Sequence, residues 1–201
     1  MWIDPVTQQV YRTPAALASA FPGVSWPSAP TASTVQAHGL EAVQTAPMPA
    51  FDAWTQICAE GAPERVDGAW VQTWIVTDRP SDNVRAELHA RRKRVRTDEE
   101  TAGFTYRGQP IDSDRDSILR LTQAAAVAMQ ALSSGAEYAV AWSGADGVDL
   151  PLDAAGVIGL QQALAAHGAA CHDRSQARKA RIDAATDLSA LAEIAAELAG
   201  P

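Results

Sequence analysis

The stretch GFTYRGQPIDSDRDSILRL, residues 103–121, joins the pattern of a β-hairpin to the pattern of a helix. Residues that favour extended backbone flank Arg107-Gly108, a pair suited to a tight hairpin turn. Apolar residues at helical spacing begin at Ile118. Between the two patterns, three aspartates stand at alternate positions: Asp112, Asp114 and Asp116. They could open a metal-binding loop, or they could begin the helix.

The aspartates do not match a calcium-binding loop. A helix-loop-helix calcium site that began at Asp112 would need glycine at its sixth position and glutamate at its twelfth. Those positions hold Ser117 and Gln123. Ser113, in contrast, is followed three residues later by Asp116, which approximates a capping box, and carboxylates are favourable at the positive end of a helix dipole. The stretch therefore predicts a capped helix start, with Ser113 in the capping position, and no metal site.

The sequence on either side of this stretch predicts a helical domain with two inserted hairpins. A helix capped by Ser81 or Asp82 runs toward Gly103 with a sparse apolar face. After the first hairpin, a second helix has one apolar side, whose residues are Ile118, Leu121, Ala125, Ala128 and Leu132. A second hairpin turns at Asp146-Gly147.

Two further helices are predicted after the second hairpin. The first begins at Asp153 and carries apolar residues as far as Ile182. The second begins at Thr186 or Asp187, either of which can cap it. The second part of the chain is thus mainly helical.

The first part of the chain has a different composition, since nine of the twelve prolines and five of the six tryptophans precede residue 81. Short alternating segments bounded by turns predict a small β-meander, with a short helix that begins at Pro14 against it. The segment SWPSAPTAS, residues 25–33, is predicted to run extended because it has too many prolines for a helix or a sheet. The fold class is therefore α+β. The domains are residues 1–80 and 81–201, with the boundary between residues 78 and 82.

The charge balance argues against nucleic acid and membranes as partners. The chain has 16 basic and 24 acidic residues, a formal net charge of -8. Binding to nucleic acid or to an anionic membrane depends on clustered lysine and arginine. The N-terminal residues have neither the basic start nor the apolar core of a signal peptide, and no run of about 18 apolar residues occurs. We therefore expect a protein that binds neither nucleic acid nor membrane.

The sequence has no recognisable catalytic, cofactor-binding or metal-ligating set. His167 and Cys171 share a helix face at a spacing of four, but a structural zinc ion needs four ligands and no second pair has ligand spacing. No glycine-rich phosphate loop and no nucleophile elbow is present, and GADGVDLP, residues 144–151, has the chemistry of a hairpin turn. We therefore expect no enzymatic activity, no cofactor and no bound metal.

Two features are candidates for binding a protein partner. The basic run HARRKRVR, residues 89–96, is followed at once by TDEE, so pairs along the helix can offset its charge. This favours a solvated or protein-contacting face over a nucleic-acid site, with Arg91, Arg92 and Arg94 as the candidate residues. The other feature is the set of indoles in a part too small to bury them all. Its candidate residues are Trp2, Trp26, Trp54, Trp70 and Trp74.

The order of these motifs resembles a domain of unknown function that recurs in tailed-phage and prophage genomes, in or beside tail-fibre genes. The resemblance covers about residues 85–195. It rests on GFTYRGQPIDSDRDSI (103–118), YAVAWSGADGVDLPLDAAG (138–156) and ARKARIDAATDLSALAEI (177–194). In the first part, FPGVSWP (21–27) and VDGAWVQTWIV (66–76) resemble, less specifically, segments that precede this domain in phage proteins.

The resemblance implies a function carried by protein surfaces, with no catalytic residues. One interpretation is a tail-fibre assembly protein, a chaperone that binds the fibre protein in the host cytoplasm. The alternative is a structural virion component that links the fibre to the baseplate in the tail. The implied partner is a tail-fibre or baseplate protein, and self-association of the chain is a further expected contact.

Overall fold

The chain folds into two compact units, residues 1–79 and 80–201. The structure is a computed structural model and describes residues 1–199. The first unit is rich in β-strands and the second is mainly helical, which confirms the mixed α+β class. The division falls between residues 78 and 82, where the composition changes.

The first unit consists of short strands and two short helices. Their bounds are β1 Trp2–Ile3, β2 Val10–Tyr11, α1 Pro14–Ala20, α2 Ala32–Gln36, β3 Glu41–Gln44, β4 Gln56–Glu60, β5 Glu64–Val66, β6 Ala69–Val71 and β7 Trp74–Asp78. Helix α1 begins at Pro14, as the sequence predicts, because proline needs no N–H partner in the first turn. The Thr13 hydroxyl caps it by accepting a hydrogen bond from the Ala16 N–H at 3.1 Å.

The strands of the first unit pair in two sheets, so their connections differ from those of the predicted meander. The larger sheet has the order β2-β1-β3-β6-β5, and β3 runs parallel to β6 with Val43 opposite Trp70. Strands β4 and β7 form a separate antiparallel pair. Asp67-Gly68, a pair that favours a tight turn, joins β5 to β6, but a local turn signal cannot reveal a parallel pairing between distant segments.

The core of the first unit is small. Leu17, Val35 and Leu40 are fully buried at its centre. Val35 lies in α2, a helix that the sequence does not predict. The first two residues of α2 belong to the segment 25–33, for which the prolines predict extended backbone. The helix begins after Thr31, whose hydroxyl accepts the Thr34 N–H. At five residues it is too short to show a helical period in the sequence.

The second unit has the predicted order of helix, hairpin, helix, hairpin, helix and helix. Its bounds are α3 Ser81–Thr101, β8 Phe104–Tyr106, β9 Gln109–Ile111, α4 Arg115–Ser134, β10 Ala139–Ser143, β11 Asp149–Asp153, α5 Ala154–Ala184 and α6 Leu188–Ala199. Arg107 and Gly108 both have positive φ, 50° and 82°, which is the backbone of a tight two-residue hairpin turn. The first hairpin is therefore confirmed together with its turn.

Helix α5 is the centre of the second unit and packs against α3, α4 and α6. A core between α4, α5 and the hairpins contains Ile111, Leu121, Ala125, Ala128, Leu152, Ala154, Val157 and Leu160. The predicted apolar side of α4 is only partly buried, because Ile118 is 38% exposed and Leu132 is 55% exposed. The side that faces the core is rotated toward Ser117 and Ala131, which are both buried.

The capping residue of α3 differs from the prediction. Pro80 is the N-cap residue of α3 and no side chain caps this helix, so the predicted cap at Ser81 or Asp82 is wrong. Both residues lie inside the first turn, where the Asp82 carboxylate instead accepts a hydrogen bond from Arg85. The predicted starts of α5 and α6 are confirmed, with caps at Asp153 and Asp187.

Candidate functional site

The three aspartates of the opening stretch lie at the start of α4, and Asp114 caps this helix. One of its carboxylate oxygens accepts the N–H groups of Asp116 and Ser117 at 2.8 and 3.1 Å. The other accepts the Ser117 hydroxyl at 2.7 Å. The Ser117 hydroxyl and N–H hold the pKa of Asp114 below its ordinary value of 3.8. The predicted helix start is confirmed, but the capping residue is Asp114 and not Ser113.

Ser113 has a different role, because it is fully buried and joins the end of α3 to the start of α4. Its hydroxyl accepts the Gly103 N–H at 2.9 Å and donates to the Glu100 carbonyl at 2.6 Å. This carbonyl belongs to the last turn of α3, where no intrahelical partner is available. Gly103 has a φ of 89°, and a Cβ at this residue would lie 2.9 Å from the Ile111 carbonyl oxygen. The stretch therefore has a structural role, because Ser113 links the end of α3 to the start of α4. We call these two hydrogen bonds of Ser113 the Ser113 joint.

Because Asp114 caps α4 with a charged carboxylate, we expect the stability of the protein to depend on pH through this residue. Asp114→Ala is expected to lower the midpoint of thermal unfolding at neutral pH, whereas Asp114→Asn should keep part of the cap because the amide oxygen also accepts N–H groups. The lowered pKa means that the folded state favours the charged carboxylate. Its contribution to stability is complete above pH 3.8 and is lost as the pH falls through the folded-state pKa.

Thermal unfolding of the wild-type protein and of Asp114→Asn, followed by circular dichroism from neutral to strongly acid pH, checks this prediction. The two midpoints should converge at the acid end. A gap between them that stays constant with pH would contradict a role for the charge of Asp114.

His167 and Cys171 contact each other, at 3.7 Å between the imidazole Nε2 and the Sγ atom. The imidazole also lies 3.1 Å from the Glu99 carbonyl oxygen and stacks on the Phe104 ring. Cys171 is fully buried. Within residues 1–199, no three His, Cys, Asp or Glu side chains come together in a way that could hold a metal ion. The pair connects α5 to the end of α3.

The three candidate arginines of the basic run have three different environments. Arg94 is exposed, and Arg91 is half-buried with its Nε donating to the Leu198 carbonyl at 3.0 Å. Arg92 is only 6% exposed, and its guanidinium donates to the Ser175 carbonyl at 3.2 Å and to the Ser175 hydroxyl at 2.6 Å. It lies on the same helix face as the buried leucine four residues earlier. Arg92 is thus corrected from a candidate partner-binding residue to one that holds α3 against α5.

A cleft of about 340 Å³ lies at the start of α4 beside β10, with Trp142 in its wall. Asp112 and Arg120 are its charged residues. The Arg120 guanidinium donates to the Ser117 hydroxyl at 2.9 Å, and that hydroxyl donates to Asp114. Ser117 and Arg120, which line this cleft, are therefore part of the network that caps α4.

The five candidate tryptophans are all half-buried. Trp2 and Trp26 pack against the small core of the first unit. The Trp74 indole donates to the Ala46 carbonyl at 3.1 Å. The Arg65 guanidinium lies 5.8 Å from the ring centre of Trp70. The indoles thus stabilise the first unit itself. A contact between any of them, including Trp54, and a partner stays a prediction.

The β4–β7 pair exposes an apolar face that the sequence analysis did not single out. Ile57 lies opposite Thr77 and Ala59 lies opposite Ile75, so these four side chains share one face of the pair. All four are exposed, Ile57 by 49% and Ile75 by 53%. Within residues 1–199, neither strand pairs with a third strand on its outer edge. We call Ile57, Ala59, Ile75 and Thr77 the β4–β7 apolar face.

A signal for this face was present but ambiguous. Strand β7 has apolar residues on both of its faces, with Trp74 and Val76 on one side and Ile75 on the other. Alternation predicts that residues two positions apart share a face, but it does not say which face is covered when both are apolar. The structure shows that Trp74 lies on the more covered side.

None of the helices in residues 1–199 combines the length and the apolar character needed to cross a membrane.

Comparison with known proteins assigns the second unit to a family. A family described as "Domain of unknown function (DUF4376)" matches residues 83–197, which is more than half of the chain. The chain belongs to this family. No curated protein and no solved structure matches it.

The DUF4376 region begins in the first turn of α3 and ends in α6, so it includes both hairpins and the Ser113 joint. The β4–β7 apolar face lies in the first unit, outside the DUF4376 match. The helix α4, with its exposed apolar residues, lies inside the match. The β4–β7 apolar face and the exposed apolar residues of α4 therefore belong to different units.

Proposed function

We propose that this protein is a non-catalytic assembly factor for a phage tail fibre, and that it binds the fibre protein through the β4–β7 apolar face and the adjoining strand edges. It acts in the host cytoplasm while the fibre assembles. Its partner is a fibre or baseplate protein, and it binds neither nucleic acid nor membrane. The resemblance of residues 103–118, 138–156 and 177–194 to a domain found with tail-fibre genes supports the biological role.

The observation that supports this binding surface is the exposure of Ile57 and Ile75 on an isolated strand pair. Full burial of an isoleucine side chain contributes roughly 1.5–3 kcal/mol, and about half of each side chain is already covered. The open edges add main-chain hydrogen-bonding groups, which can pair with an extended segment of any sequence. Apolar contacts and edge pairing together suit an assembly factor.

The chemistry of the partner explains why such a surface is useful. A fibre chain that has not yet trimerised exposes strand edges and apolar residues, which tend to aggregate. A protein that covers them in its bound state lowers the concentration of the free, aggregation-prone chain by mass action. The β4–β7 apolar face is covered in the same complex. Without a partner it is itself a site for unwanted association, since it is an exposed apolar strand pair with two free edges.

A co-expression experiment with the fibre protein of the same phage tests the proposal. The full-length chain carrying Ile75→Asp is expected to recover at most about a tenth of the fibre protein that the wild type co-purifies, since a charge is then buried in the contact. Val66→Asp is the matched control, because Val66 is 50% exposed in the other sheet of the same unit. This control should leave co-purification unchanged.

Equal losses with both variants, or none with either, would overturn the β4–β7 apolar face as the binding surface. Circular dichroism of each variant separates loss of binding from loss of folding. The yield of soluble fibre protein with and without the wild-type chain tests the role itself, because an assembly factor should raise this yield.

Mass spectrometry of purified phage particles separates the assembly factor from the alternative of a structural virion component. An assembly factor that leaves after fibre formation should be absent or strongly substoichiometric. A stoichiometric amount in the particle would favour a permanent link between fibre and baseplate.

A further inference from the structure

The hairpin of β10 and β11 has an open outer edge along β10. The Gly144 N–H donates to the Val148 carbonyl at 2.9 Å, one step beyond the last paired residues of the two strands. Because bonded pairs alternate in an antiparallel ladder, the backbone groups of Ala141 and Ser143 point away from β11. Pro151 stands opposite Ala141, where its missing N–H is not needed. The outer edge of β10 therefore presents backbone N–H and C=O groups that β11 does not use.

The first hairpin closes one end of this edge. The Ala145 N–H, two residues beyond Ser143, donates to the Pro110 carbonyl of β9 at 2.8 Å. The chain then leaves β9 for α4, so β9 takes the place of a third strand beside Ala145 and goes no further along β10. Within residues 80–199, no backbone group bonds to the outer side of Ala141 or Ser143. A third-strand position is open beside these two residues.

The cleft of about 340 Å³ at the start of α4 lies at this open position. It is lined by residues 140–144 of the strand and its end, and by Asp112, Ser117 and Arg120. Its volume is in the range of binding sites, roughly 300–1,000 Å³. A row of backbone groups spaced two residues apart is what an extended polypeptide recognises when it adds to a sheet edge. The shape and the backbone of the cleft therefore suit an extended peptide.

The charges of the cleft favour a basic peptide. Asp112 is exposed, and within residues 80–199 no group pairs with its carboxylate. Arg120, in contrast, already donates to the Ser117 hydroxyl. Carboxylates also outnumber guanidinium groups in the cleft, in the first turn of α4 and at the β11 residue bonded to Ser143: Asp112, Asp114, Asp116 and Asp149, against Arg115 and Arg120. A lysine or arginine beside Asp112 supplies the missing counter-charge.

We propose that this cleft binds an extended, basic segment of a partner protein, which adds a third strand beside β10 and places a lysine or arginine next to Asp112. Main-chain bonds to Ala141 and Ser143 supply affinity for extended backbone, and Asp112 supplies the preference for positive charge. A second copy of this chain does not fit, because its basic runs, residues 91–96 and 178–181, lie within helices α3 and α5. The site lies in the DUF4376 region, whereas the β4–β7 apolar face lies in the other unit.

Peptide selection on the full-length chain tests the proposal. The probe is a displayed library of random seven-residue peptides, and the peptides enriched on the wild type are expected to carry lysine or arginine. In calorimetry, an enriched peptide should bind Asp112→Asn at least about tenfold more weakly, because the charge-assisted contact is lost. Asp173→Asn is the matched control. Asp173 is an exposed acid on α5 outside the cleft, so this variant should bind like the wild type.

Two measurements separate strand addition from contacts of side chains alone. In an added strand, only every second residue bonds to the edge that it joins. One N-methyl group placed at each position of the peptide in turn should therefore reduce affinity at alternate positions, by about tenfold where a main-chain bond is lost. Amide exchange followed by NMR should show that the Ala141 and Ser143 N–H groups exchange more slowly when the peptide saturates the protein.

Several results would overturn the proposal. The site is wrong if no peptide is enriched, if the enriched peptides are not basic, or if they bind Asp112→Asn as tightly as the wild type. N-methyl effects that do not alternate would exclude strand addition. Slow exchange of the Ala141 and Ser143 amides in the free protein would show that this chain or a second copy already covers the edge. These tests use no fibre protein, so their outcome is independent of the proposed function.

Discussion

Replacing Ser113 with alanine is expected to lower the free energy of unfolding of the second unit by about 3 kcal/mol. The hydroxyl is fully buried and makes two hydrogen bonds, one from the Gly103 N–H and one to the Glu100 carbonyl. Alanine removes both bonds and leaves two backbone groups without a partner, each at a cost of roughly 1–3 kcal/mol. The end of α3 and the start of α4 then lose the group that joins them.

The measurement for Ser113→Ala is urea unfolding followed by helical circular dichroism, which reports mostly on residues 80–199 because the long helices lie there. Ser133→Ala is the matched control. The Ser133 hydroxyl also donates to a carbonyl, that of Gln130, but it is exposed and water can replace it. A Ser113→Ala variant no less stable than the Ser133→Ala control would show that the joint contributes little.

Replacing Arg92 with alanine is expected to destabilise the second unit by about 2–4 kcal/mol. Its side chain is 6% exposed and lies between α3 and α5, so truncation leaves a cavity and an unpaired Ser175 hydroxyl. The Arg92 Nε has no hydrogen-bond partner among the described residues. The guanidinium is thus buried with incomplete hydrogen bonding, and a buried charge of this kind can cost as much as its contacts contribute.

This balance leads to a sharper expectation for Arg92→Met. Methionine fills a similar volume with no charge, so it should be far less destabilising than alanine and close to the wild type in urea unfolding. Arg94→Ala, at an exposed position on the same helix, is the control and should change the free energy of unfolding by less than about 0.5 kcal/mol. A Met variant as unstable as the Ala variant would show that the charge itself is needed.

Signals that act over a few residues were reliable in this sequence. The turn at Arg107-Gly108 was visible because glycine adopts positive φ without strain and stands here between two segments that favour extended backbone. The cap at Asp153 was visible because a short acceptor side chain before a helical pattern satisfies N–H groups that the helix leaves free. Such signals predicted the order of elements in the second unit. At the start of α4 they also predicted where the helix begins, although they placed the cap one residue early.

The use of each surface depended on contacts between distant segments. The basic run predicted an open arginine face, but Arg92 is covered by α5, which lies more than 80 positions away at Ser175. The aromatic composition predicts indole anchors, whose contact with a partner stays a prediction, and it did not indicate that Ile57 and Ile75 are exposed on the β4–β7 apolar face. In both cases the residue type alone does not reveal which distant segments cover it.

The sequence by itself determined the order and the approximate bounds of the helices and hairpins in the second unit, since caps, turns and periodicity act between residues close in the chain. Only the tertiary structure decided which flank of α4 is covered, because apolar residues lie on more than one side of this helix and α5 covers one of them. It also decided that β3 pairs with β6, so that β4 and β7 are left as an isolated pair. Burial is a property of packed neighbours, and periodicity alone does not specify which neighbour a face will have.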